Sequence, residues 1–89
     1  MIRRHVLVHG IVQGVGFRYS AQREAERCGL VGWVRNRPDG TVECEIEGDD
    51  ASVEAMLGWL AAGPPGAVIE RTDVAVTAPL GEVAFRITD

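Results

Sequence analysis

The sequence predicts an α+β sandwich of βαββαβ order, an antiparallel sheet with both helices on one face. Three observations carry that reading. Two stretches repeat apolar residues at helical spacing. The stretches around them alternate apolar and polar residues, as half-buried strands do. One alternating stretch carries a row of glutamates, which leaves that sheet face to water and sends both helices to the other.

The elements follow in order. His5 to Val12 alternates, with Val6, Val8, Gly10 and Val12 on one side and His5, Leu7, His9 and Ile11 on the other, and reads as the first strand. Phe17, Ala21, Ala25 and Cys28 recur at helical spacing, and Gly29 closes that helix. Leu30 to Arg37 is a second strand, followed by the turn signal Pro38-Asp39-Gly40. Thr41 to Gly48 places Val42, Cys44 and Ile46 inward and Glu43, Glu45 and Glu47 outward, completing a hairpin. Asp49 or Asp50 caps the next helix, whose stripe is Val53, Met56, Leu57 and Leu60. Gly63-Pro64-Pro65-Gly66 ends it. Ile69 to Thr77 is a fourth strand, and Phe85 to Thr88 a short last one. This order is the ferredoxin-like arrangement, which hosts many functions and decides none of them.

The 89 residues make one domain, spanning 1–89. A hydrophobic content of 46% supports a folded core. No apolar run reaches the length of a membrane span, and Met1 to His5 offers no secretory signal, so the expectation is a cytoplasmic protein; the oligomeric state is open, with a monomer as the default. The net charge of −4 disfavours nonspecific nucleic-acid binding. All nine basic residues are arginine, which excludes Schiff-base chemistry and a P-loop lysine. Cys28 and Cys44 form no CxxC pair and read as buried free thiols.

One run carries chemistry: Val12-Gln13-Gly14-Val15-Gly16-Phe17-Arg18. It joins the first strand to the first helix. Two glycines bracket Val15, so the backbone there can take positive φ and approach a ligand closely. The amides of such a loop converge, and the helix adds the positive end of its dipole. Arg18 brings a planar fork of donors that matches phosphate or carboxylate oxygens. The run lacks both the P-loop pattern and the third glycine of the dinucleotide fingerprint, which argues against a nucleotide. Asn36, at the end of the second strand, comes near the helix start in a βαβ unit. Its amide can orient a water without removing a proton. His5 and His9 read as solvated or weakly paired, Arg35 and Arg37 as surface charges that draw anions, and Glu43, Glu45 and Glu47 as a solvated face.

The chain resembles the acylphosphatase family. The resemblance rests on Gly10-Ile11-Val12-Gln13-Gly14-Val15-Gly16-Phe17-Arg18, on Gly32 to Asn36, and on Gly40-Thr41-Val42-Glu43. Trp59-Leu60, the Gly-Pro-Pro segment and the closing Phe-x-Ile extend it over nearly the whole chain. It implies hydrolysis of the carboxyl–phosphate anhydride of small acyl phosphates, with no metal and no cofactor. It also implies that Arg18 binds the phosphoryl group together with the loop Gln13, Gly14, Val15, Gly16 and Phe17, and that Asn36 positions the attacking water. The alternative is a non-catalytic acyl-phosphate or anion-binding regulatory module. RNA binding on the outer sheet face is disfavoured, because that face carries acid rather than an aromatic platform with a basic rim.

Overall fold

The computed structural model describes residues 1–88. Its elements are β1 (Ile2–Ile11), α1 (Phe17–Arg27), β2 (Val31–Asn36), β3 (Val42–Gly48), α2 (Asp50–Ala62), β4 (Val68–Thr77) and β5 (Phe85–Ile87). They form one five-stranded sheet in the order β4-β1-β3-β2-β5. The four long strands pair antiparallel, as expected; β5 adds a short parallel edge to β2. The sheet is therefore mixed, and the fold is ferredoxin-like.

Alternation selects the buried face. Val6, Val8, Val34, Val42, Cys44 and Ile46 point from the sheet into one core with Phe17, Ala21 and Ala25 of α1 and Val53, Met56 and Leu60 of α2. Each helix has sequence-coded ends. Leu30 and Gly29 donate back to Ala25 and Glu26, ending α1. Asp49 caps α2, accepting from the Ser52 amide at 2.8 Å. No helix among the described residues is long and apolar enough to cross a membrane.

The outer sheet face departs from the sequence reading. Glu47 is only 2% exposed, and Arg3, which lies outside the strand expected to start at His5, is 0% exposed. β1 begins at Ile2, so Arg3 stands directly opposite Glu47. Arg3 donates to Glu45 at 2.6 Å, to Glu47 at 3.0 Å and to Glu82 at 2.6 Å. The amides of Leu80 and Gly81 also reach the Glu47 carboxylate. The segment between β4 and β5 thus folds over this end of the face, and a buried charge network replaces a solvated row. The Leu80 amide foremost holds the Glu47 carboxyl below its ordinary range; burial opposes this, and Arg3 and the Gly81 amide reinforce it.

The rest of the row is paired too. Glu43 accepts from Arg35 at 2.6 Å and meets His5 at 2.7 Å. Burial pushes its carboxyl up, but His5 and Arg35 together hold it below the usual range. His9 meets Asp73 at 2.8 Å, and Arg37 lies 3.6 Å from Asp39. Both cysteines are free. Cys44 is buried, which pushes its thiol up to about 12, whereas Cys28 is only partly buried.

Candidate active site

β1 and β2 run the same way with β3 between them, so their carboxyl ends lie at one edge of the sandwich. Val42 fixes the juxtaposition. It faces Val8 of β1 on one side and Asn36 of β2 on the other. Beyond Val8 the strand parts from β3, stays paired with β4 as far as Ile11, passes Val12 and turns into α1. Gly14 and Gly16 hold φ of 77° and 73°. A Cβ at either would meet nothing within 4 Å, so it is the left-handed backbone, and not crowding, that calls for glycine.

This turn leaves the start of α1 unsatisfied. Its N-cap is Gly16, no side chain caps it, and no acidic residue stands in its first turn. α2 has both a capping aspartate and Asp50. The first backbone amide after the turn to find an acceptor is that of Ser20, which donates to Gly16 O at 3.0 Å. Among the described residues, the amides of 13 to 19 donate to no backbone carbonyl. The positive end of the helix dipole is thus open toward the loop.

A cleft of about 230 Å³ opens there, lined by Gly14, Gly16, Phe17, Arg18 and Asn36, with Val12, Tyr19 and Ile87 as further walls. Arg18 is half-buried. Asn36 Oδ1 is buried and has no hydrogen-bond partner. An orphaned buried acceptor costs roughly 1–3 kcal/mol unless a ligand or water satisfies it. The cleft therefore pairs a guanidinium and open amides, which suit an anion, with one acceptor that suits a water proton.

Two loop residues turn elsewhere. The Gln13 side chain reaches across to the hairpin, its Nε2 donating to Arg37 O at 2.7 Å and Thr41 O at 3.0 Å. It straps the loop to the turn just after Asn36. Val15 packs on the core and does not line the cleft. His5 and His9 do not line the cleft; both are engaged with carboxylates on the outer sheet face. The sequence reading missed Tyr19 and Ile87. Tyr19 follows Arg18 in the first turn of α1, which was a usable signal. Ile87 arrives only through the β2–β5 pairing, which no local pattern announces.

Comparison with known proteins identifies the family of the chain. A family model described as Acylphosphatase matches residues 4–87. An acylphosphatase of Thermococcus kodakarensis is 51% identical over 86 residues, covering 97% of this chain and 94% of the relative. The crystal structure of acylphosphatase from Bacillus subtilis superposes with a TM-score of 0.96 at 37% identity, covering 100% of both chains. The structure of HypF from T. kodakarensis matches with a TM-score of 0.82 at 39% identity, covering 98% of this chain but 12% of that one.

Proposed function

The chain belongs to the acylphosphatase family and is a hydrolase acting on acyl phosphates; from that premise we propose how its own residues carry out the reaction. Arg18 and the amides of Gln13, Gly14, Val15, Gly16 and Phe17 bind the phosphoryl oxygens. Asn36 accepts a hydrogen bond from the attacking water and aims its oxygen at phosphorus, opposite the acyl oxygen. Water adds to phosphorus as the phosphorus–acyl oxygen bond breaks. The bonding pair leaves with the carboxylate, and the water proton passes to a phosphoryl oxygen of the substrate. No protein base and no metal take part.

The physical demands are modest. A carboxylate is a good leaving group, so the protein must spread negative charge over donors and hold a water in line. The observation that carries the reading is the buried, unpartnered Asn36 Oδ1 in the same cleft as Arg18 and the open amides. Both histidines are tied to carboxylates outside the cleft, which favours the substrate's own oxygen as proton acceptor. Replacing His5 and His9 should therefore leave the shape of the pH–rate profile intact, and a lost basic limb in either variant contradicts substrate-assisted proton transfer.

The test is hydrolysis of benzoyl phosphate in EDTA. The wild type turns over. Arg18→Ala loses both turnover and phosphate inhibition, and Arg18→Lys recovers little because an ammonium lacks the fork. Asn36→Ala loses roughly 10²–10³ in kcat, as removal of a preorganised polar group does, while phosphate inhibition is largely kept. Wild-type turnover in Asn36→Ala would remove the water-positioning role. Binding of phosphate without any turnover of the wild type would favour a regulatory module.

A further inference from the structure

This inference deepens the reading above and concerns the far end of the substrate. Of the nine arginines, six meet carboxylates and Arg4 donates to the Arg3 carbonyl. The two left without a hydrogen bond or ion pair among the described residues are Arg18 and Arg23. Both lie on α1, one on either side of Tyr19. In a chain of net charge −4, two uncommitted guanidinium groups on one helix are not a matter of charge abundance.

A second hollow, about 450 Å³, lies across Tyr19 from the cleft. Tyr19 walls both, and is 60% exposed. The Arg23 guanidinium carbon stands 5.7 Å from the Tyr19 ring centroid. Trp59, Pro64 and Pro65 also line it. The one acid in the hollow, Glu24, is engaged by Arg27, whose hydrogen bond foremost holds that carboxyl below its usual range. Arg23 therefore remains as an excess positive charge beside flat, partly apolar walls.

We propose that this hollow receives the acyl part of the substrate and that Arg23 binds a carboxylate at its distal end. The protein then favours acyl phosphates derived from dicarboxylic acids. The geometry supports that span. Tyr19 and Arg23 are one helical turn apart, about 6 Å along the axis, a length a para-substituted benzoyl group covers. The ring of such a substrate lies against Tyr19 and Trp59, and the guanidinium fork matches its carboxylate.

The experiment compares benzoyl phosphate with 4-carboxybenzoyl phosphate in the wild type and in Arg23→Gln. The readout is kcat/KM for 4-carboxybenzoyl phosphate divided by kcat/KM for benzoyl phosphate. Arg23→Gln should lower that ratio about fivefold, the upper range for a charge pair open to solvent. Raising salt to about 0.5 M should lower the wild-type ratio and leave the variant's ratio flat. Equal ratios in both proteins at low salt overturn the subsite. Failure of the wild type to hydrolyse either compound overturns the catalytic reading instead, so the two failures are distinguishable.

Discussion

Gln13→Ala separates positioning from binding in one side chain. The wild-type amide donates to Arg37 O and Thr41 O, and so ties the loop after β1 to the hairpin that follows Asn36. Each acceptor keeps another partner when Gln13 is cut back. Arg37 O still receives the Gly40 amide, and Thr41 O the Arg37 amide. The stability loss is therefore the net worth of two ordinary hydrogen bonds, about 2 kcal/mol. For a domain of this size that lowers Tm by about 8–16 °C. The larger effect is on chemistry. In the proposed mechanism the strap sets the distance from the loop that receives the phosphoryl group to the Asn36 side-chain carbonyl, and a misplacement of about 1 Å costs up to roughly 10²-fold in rate. We expect kcat to fall roughly 10- to 100-fold and phosphate inhibition to change within about threefold, because Arg18 and the amides travel together with the loop. Gln13→Glu should be worse at neutral pH, where a carboxylate faces two carbonyl oxygens. The assay is thermal melting by circular dichroism, with benzoyl phosphate kinetics well below Tm. A kcat within twofold of wild type in a folded Gln13→Ala protein would refute the strap.

Three further outcomes follow from the packing. Arg3→Met leaves Glu47 buried against the Leu80 and Gly81 amides without its cation, and should cost about 3 kcal/mol at neutral pH, read by urea denaturation. The Glu43 and Glu47 carboxyls titrate lower in the folded chain than the usual carboxylate value. Their contribution is therefore complete above about pH 5 and is lost as pH falls through the folded values, so Tm should drop below about pH 4, and less steeply in Arg3→Met. Gly32→Ala should not fold stably at 37 °C, since its Cβ would stand 1.9 Å from Glu45 O at a φ of 138°.

The elements were legible because their signals are local. Periodicity in Phe17–Ala25 and Val53–Leu60, alternation in Val42–Ile46, and the capping Asp49 each specify structure within a few residues. Arg18 and Asn36 were legible for a different reason: the βαβ connection brings the carboxyl ends of β1 and β2 to one edge whatever the loop details. The outer face was misread because alternation reports which side a residue faces, and says nothing of what covers that side. Glu47 points outward as read, but Leu80, Gly81 and Glu82 fold over it from some thirty-five residues away. The same limit hid the Gln13 strap, because its acceptors are backbone carbonyls, which carry no residue signature. It also hid Ile87, which reaches the cleft through a parallel edge pairing.

The central claim is that Arg18 and the loop amides hold a phosphoryl group while Asn36 holds the water. A crystal structure of the protein with inorganic phosphate tests it most directly. The ion is expected at the start of α1, with Arg18 and at least two amides of residues 13–17 within about 3.2 Å of its oxygens, and an ordered water on Asn36 Oδ1. Phosphate bound elsewhere, with the Arg18 guanidinium turned away from the loop, would contradict it.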